Sequence, residues 1–213
     1  MNGNKGCFIT FEGPEGAGKS TQVRLLQQAL VSRGHECVLT REPGGTALAE
    51  QLRGIVKYHE GDELMAAETE LLLFAASRAQ HVRNLIKPAV AEGKIVICDR
   101  FYDSTTAYQG YGRNLELDFV NRLNNFAIAG CKPDLTILLD LPPEAGFSRT
   151  AVRAETQGLN DRLENEELDF HLAVRTAFLK IADEEPERVK VVSALASPDE
   201  IHRHIMELLN NVI

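Results

Sequence analysis

The sequence predicts an α/β fold, a three-layer α/β/α domain on a five-stranded parallel sheet. Two observations carry that expectation. Five short runs of aliphatic and β-branched residues alternate with longer stretches of helical periodicity, the pattern of repeated β-α-β units. The first run leads into Gly13-Pro14-Glu15-Gly16-Ala17-Gly18-Lys19-Ser20: a glycine, four residues, a second glycine, then lysine and serine. In open parallel sheets the ligand crevice lies beyond the C-terminal ends of the strands, so site residues are expected just after each run.

In chain order, residues 7–11 (CFITF) read as the first strand, and 21–33 as a helix turning Val23, Leu25, Leu26, Ala29 and Leu30 inward. Gly34 stops that helix, and 36–40 form the second strand. Residues 41–46 (REPGGT) break regular structure. Thr46 is suited to cap a helix that carries Leu48, Leu52, Ile55 and Val56, with Arg53 on a more polar face. After a polar loop over 58–63, a long helix is expected from about 66 to 91, kinked or broken near Pro88. Its segment 71–76 (LLLFAA) is apolar almost all round, which predicts burial and leaves Arg78 to be explained.

Residues 94–100 read as a central strand ending in Asp99-Arg100, and the hydroxyl- and glycine-rich stretch 101–114 as a loop. A helix over 117–129, a fourth strand over 135–140, and a helix opened by Pro142-Pro143 follow. That helix runs into Arg149 and Arg153, and the polar stretch 154–160 reads as a mobile cover, so a helical lid is expected at about 149–162. Helices over 166–184 and 198–211 flank a fifth strand at 189–192. With no repeat or linker in view, residues 1–213 are expected to form a single domain.

The composition, 44% hydrophobic and 25% charged, is that of an ordinary soluble chain. With 23 basic against 31 acidic side chains, the net charge is −8, so affinity for anions has to come from a local cluster of arginines. This speaks against a nucleic-acid binder. Cys7, Cys37, Cys98 and Cys131 show neither zinc nor disulfide spacing and suit a reducing cytoplasm. The six histidines form no metal-ligand constellation. No apolar stretch approaches 18 residues and no signal peptide is visible, so neither membrane insertion nor export is expected.

The glycine motif carries the chemistry. Its glycines turn backbone N–H groups toward phosphate oxygens, and the following helix N-terminus adds positive potential. Gly13, Pro14, Glu15, Gly16, Ala17, Gly18, Lys19, Ser20 and Thr21 are therefore the expected nucleotide phosphate site. Lys19 would reach the outer phosphates, and the Ser20 hydroxyl would ligate Mg²⁺. The fold is thus that of a P-loop NTPase. A guanine-reading Asn-Lys-x-Asp and a switch Asp-x-x-Gly after a strand are both missing, while arginines stand outside the loop at 41, 53, 78, 100, 113, 149, 153 and 162. Phosphoryl transfer needs alignment and neutralisation of two sets of phosphates, so converging arginines suit a kinase with an anionic acceptor. A phosphate-loop binding switch without an acceptor is the reading from another class.

At this point the residues resemble a known family, the bacterial-type thymidylate (dTMP) kinases. The resemblance runs over essentially the whole chain. It rests on Phe11-Glu12-Gly13 into the phosphate loop, Thr40-Arg41-Glu42-Pro43-Gly44-Gly45-Thr46, Phe74-Ala75-Ala76-Ser77-Arg78, Asp99-Arg100-Phe101, Ala107-Tyr108-Gln109-Gly110 and Asp161-Arg162. It implies ATP-dependent conversion of dTMP to dTDP. Another nucleoside monophosphate or deoxynucleoside kinase is the same-class alternative.

From the residues alone, Phe74 reads as core and Arg78 as a surface ion pair. The resemblance implies instead that Phe74 stacks on thymine and that Arg78, one helical turn later, donates to a base carbonyl. It further implies that Thr105 and Gln109 read the N3 edge, that Tyr108 crowds the ribose 2′ position, and that Arg53 and Arg100 clamp the acceptor phosphate. Glu12 and Glu15 fall among the substrate-facing acids, with Glu15 near the sugar 3′-hydroxyl. Asp99 resembles a carboxylate that holds Mg²⁺ through water, although a helix cap or ion pair would place an acid there too. Some family members carry an arginine inside the phosphate loop; here that position is Gly16, so charge at the transferring phosphoryl is expected from the lid, from Arg153 first and then Arg149. A solvated charged helix would look the same. Lys19, Arg100, Arg153 and Arg149 are accordingly the expected catalytic set. The family also implies a homodimer, for which the apolar long helix would serve, though a core helix fits equally.

Overall fold

A computed structural model describes residues 6–59, 63–149, 163 and 166–209. Its strands are β1 (Cys7–Glu12), β2 (Cys37–Arg41), β3 (Ile95–Asp99), β4 (Leu135–Asp140) and β5 (Val189–Ser193). They form one sheet in the order β2-β3-β1-β4-β5 with every pair parallel. Every residue of β1 is buried, as is nearly all of β3 and β4, whereas the edge strands β2 and β5 are partly open. That gradient is why the central runs are continuously apolar rather than alternating.

The helices are α1 (Lys19–Ser32), α2 (Ala47–Tyr58), α3 (Ala67–His81), α4 (Lys87–Ala91), α5 (Tyr102–Thr105), α6 (Leu117–Ile128), α7 (Leu168–Glu184) and α8 (Pro198–Leu209), with a further helical stretch over 143–149. Strand periodicity divides the core. Ile9 and Phe11 face Leu26 and Leu30 of α1 and Ile201 and Ile205 of α8, while Phe8 faces Val82, Ile86 and Phe101 on the other layer. No helix among the described residues is long and apolar enough to cross a membrane.

The Thr46 hydroxyl accepts from the Ala49 N–H at 3.3 Å, as a cap should. The long helix is continuous from α3 into α4, but residues Val82–Ile86 between them are wound as a π-helix. Pro88 directly follows this π-wound turn, at the second residue of α4, and does not break the run.

Two expectations are overturned. Residues 102–112 are not a loop: α5 passes into a π-wound segment, Thr106–Gly112. Serine, threonine and glycine are weak helix formers alone; here burial of Ala107 and Tyr108 against α7 and a carboxylate at the helix N-terminus decide the outcome. On α2, Leu48 and Ile55 are exposed, and Ala49 and Val56 face inward. On α3, Leu72 is likewise exposed, so the apolar helix is not surrounded.

Candidate active site

A cavity of about 400 Å³ opens at the C-terminal ends of β1 and β3. The phosphate loop bounds one end; α2, α3 and the helical run after β3 bound the other. Among the described residues, seven cationic side chains line it against three carboxylates, in a chain whose net charge is −8. The local positive field expected for polyanionic ligands is therefore in place. Arg41, Arg53, Arg78, Arg100 and Arg149 all reach this cavity. Arg113 does not line it and pairs with Glu70 and Glu166 instead.

The donor end follows from local sequence. Gly13 has φ +132°, and a Cβ there would stand 2.3 Å from the Leu139 carbonyl oxygen, so only glycine lets the chain leave β1 this way. Gly18 caps α1 in the left-handed conformation, and the first turn of that helix carries no acid, so its positive end faces the cavity uncancelled. Lys19 Nζ donates to the carbonyls of Gly13 at 3.0 Å and Pro14 at 2.8 Å. Burial first, then the Arg100 guanidinium, lowers its pKa to about 8; Glu15, Asp99 and Glu12 oppose the shift.

The absence of an arginine from the loop has a steric reason. A Cβ on Gly16 would lie 2.7 Å from the Gly146 carbonyl oxygen, in the stretch 143–149 that packs on the loop. Arg149, at the end of that stretch, donates to the carbonyls of Gly16 at 3.2 Å and Ala194 at 2.9 Å. It ties the loop to the segment after β5. Arg153, Arg162 and the lid expected over 150–162 lie outside the described residues.

Arg100 holds the centre. It follows β3 with φ +69°, a conformation that costs a side-chain-bearing residue about 1–3 kcal/mol and is held by its surroundings. Its Nη1 donates to the Gly13 carbonyl at 3.0 Å and Ser104 Oγ at 3.1 Å, and its Nη2 to Glu15 and, at 3.2 Å, to Tyr108 Oη. Phosphate loop, Glu15 and Tyr108 thus converge on one guanidinium. Arg53 sits across the cavity with Nη1 on the Pro43 carbonyl at 2.9 Å. Ser20 and Asp99 line the same cavity, and no protein hydrogen bond holds the Asp99 carboxylate among the described residues.

The acceptor end is assembled from distant segments. Phe74 is half-buried and lines the cavity. Arg78 is not a surface ion pair: it is 1% exposed. Its Nε donates to Glu42 at 2.7 Å, Nη1 to Asn124 Oδ1 at 2.8 Å, and Nη2 to Thr105 Oγ1 at 2.9 Å and the Phe101 carbonyl at 3.3 Å. Four of its N–H groups thus hold the wall together, and among the described residues the second N–H on Nη1 has no protein acceptor. Glu42 also accepts from His81 Nδ1 at 3.0 Å, while His81 Nε2 lies 2.6 Å from Thr40 Oγ1. Tyr108 Oη is 3.4 Å from Glu15 Oε1, which puts the two residues expected at the sugar side by side.

Glu12 is corrected. It does not line the cavity and is fully buried. Its carboxylate accepts from the N–H of Phe101 at 2.8 Å and of Ser104 at 3.3 Å and from Ser104 Oγ at 2.5 Å, capping the helical run from β1. An acid aimed at a helix N-terminus is satisfied without a substrate. Burial first, then the Asp103 carboxylate, raises its pKa to about 7, against the pull of Ser104, Arg100 and the Phe101 N–H.

The thymidylate kinase family model matches residues 11–205. A thymidylate kinase of Desulfosudis oleivorans is 48% identical over 208 residues, covering 96% of this chain and 97% of that one. One of Geobacter sulfurreducens is 51% identical over 189 residues, 88% of each chain. The chain belongs to the thymidylate kinase family. A crystal structure of thymidylate kinase from Ehrlichia chaffeensis has the same fold, with a TM-score of 0.78 at 34% identity over 96% of this chain and 98% of that one.

Against the thymidylate kinase pattern read from the sequence, the structure adds Glu42, Asn124, Ser104 and Glu70. Glu42 stood inside a recognised motif, so its importance was visible but its partner was not. Glu70 carried no signal beyond being an acid on an apolar helix, and it is fully buried.

Proposed function

We propose that the chain transfers the γ-phosphoryl group of ATP to the 5′-phosphate of dTMP, yielding dTDP and ADP. One observation carries this: a single cavity is lined both by the phosphate-loop residues Glu15, Gly16, Gly18, Lys19 and Ser20 and by Phe74, Arg78, Thr105 and Gln109, together with Arg53 and Arg100. That is the layout in-line transfer between two bound nucleotides requires.

In this reading the loop N–H groups and Lys19 hold the donor phosphates. Arg53 and Arg100 orient the acceptor phosphate so that one of its oxygens attacks the γ-phosphorus as the bond to the ADP oxygen breaks. Phe74 stacks on thymine, Arg78 and Gln109 read its edge, and Tyr108 beside Glu15 crowds the 2′ position of the sugar. Arg153, and secondarily Arg149, supplies charge at the transferring group. Hard oxygen donors at Ser20 and Asp99, in one cavity and with no protein hydrogen bond to the carboxylate among the described residues, fit Mg²⁺, which when bound offsets phosphate charge. The lid and the whole chain act as one kinase domain in the cytoplasm. Exposed apolar side chains on three neighbouring helices, Leu48 and Ile55 on α2, Leu72 on α3, and Phe119 and Phe126 on α6, support a homodimer through that face.

The test is kcat/KM for dTMP, dUMP, UMP, dCMP, dGMP and AMP at fixed Mg-ATP, following ADP release. dTMP should lead, with dUMP weaker for want of the methyl contact. Equal use of a purine or cytosine acceptor overturns the specificity, and ADP release indifferent to every acceptor leaves only a binding switch.

A further inference from the structure

The acceptor wall contains a buried carboxylate that the transfer chemistry does not use. Glu70, on α3, is 0% exposed. Its Oε1 accepts from Gln109 Nε2 at 2.7 Å and Arg113 Nε at 3.3 Å, and its Oε2 from Arg113 Nη2 at 3.3 Å. Arg113 is itself held, by Glu166 at 2.6 Å and over the Phe170 ring at 4.9 Å. A carboxylate accepts hydrogen bonds and offers none, so of the two ends of the Gln109 amide only the NH₂ can face it. The amide oxygen is then the atom Gln109 has for the cavity it lines.

We propose that Glu70 is a positioning residue that locks the Gln109 amide with its oxygen toward the cavity, and so makes the site select a base with an N–H at that edge. Thymine and uracil carry an N–H at N3, whereas cytosine presents a lone pair there, which would meet the amide oxygen acceptor to acceptor. The selection is made by Glu70 without contact with the base. This deepens the dTMP reading and rests on it. Because the deciding quantity is a ratio between two acceptors, its failure differs from an unmodified chain that does not use dTMP.

In Glu70→Gln the new side chain can donate as well as accept, so Gln109 is free to turn its NH₂ toward cytosine N3. The ratio of kcat/KM for dTMP over dCMP at fixed Mg-ATP should fall about 10-fold or more. In a Gln109→Ala background, adding Glu70→Gln should move the ratio by less than about 2-fold, since no amide is left to orient. Glu70→Asp keeps an acceptor-only group without removing the buried charge, and should retain the preference within about 3-fold even where both rates drop. A structural role alone would lower both acceptors together. An unchanged ratio in Glu70→Gln, a full response without Gln109, or a collapse in Glu70→Asp each overturns the proposal.

Discussion

The two ends of the cavity are built differently. The donor end is one continuous segment: Gly13 to Ser20 supplies the turn, the N–H groups, the ammonium and the hydroxyl, and its carbonyls hold Lys19. The acceptor end draws on β2, α3, the run after β3 and α6, joined by the buried Arg78 with Glu42, Thr105 and Asn124. A contiguous loop can lose one functional group and keep its shape. A wall held by a buried ion pair cannot, because removing one partner strands the other charge away from water.

The largest expected effect separates the two ends. Lys19→Ala should lower kcat by roughly 10³-fold or more while thermal stability changes by less than about 1 kcal/mol, since the group lost serves phosphate and is already disfavoured by burial. A matching loss of stability would show that the donor end is no more autonomous than the acceptor end. Because Lys19 is protonated below a pKa of about 8, kcat/KM for Mg-ATP should fall as pH rises through that value, measured as a pH-rate profile.

Arg78→Met should do the opposite. It leaves Glu42 buried and short of its main cationic partner, costing about 3–5 kcal/mol of stability by denaturant titration and taking dTMP binding with it. Loss of dTMP affinity with stability intact would mean the wall tolerates an unpaired carboxylate.

A smaller effect probes the contact between loop and lid base. Gly16→Ala meets the Gly146 carbonyl at 2.7 Å in a backbone with φ +73°, and should cost about 1–2 kcal/mol and weaken ATP binding, read by calorimetry. An unaffected variant would show that the stretch 143–149 yields readily.

The smallest is a pH slope. With its folded pKa raised to about 7, Glu12 contributes stability that is fully present below its unfolded value near 4.5 and lost as pH rises through about 7. Glu12→Gln should flatten the decline in urea midpoint between those pH values. A decline that persists in the variant assigns the titration to another group, Asp103 first, whose pKa burial also raises.

What the sequence determined by itself was whatever is set by neighbours along the chain. The strands, α1, the Thr46 cap and the phosphate loop follow from period, capping and turn chemistry within a few residues, and all are where the pattern placed them. Tertiary structure decided the rest, for reasons local patterns do not contain. Whether Leu48, Ile55 and Leu72 lie inside depends on which face meets the neighbouring helices, and they lie outside. Residues 102–112 wind into helix because Glu12, some 90 positions earlier, caps them and α7 covers them. Arg78 and Glu70 reveal their parts only when Glu42 and Gln109 are brought to them across the fold, since a buried charge is defined by its partner and a sequence does not say which partner that will be.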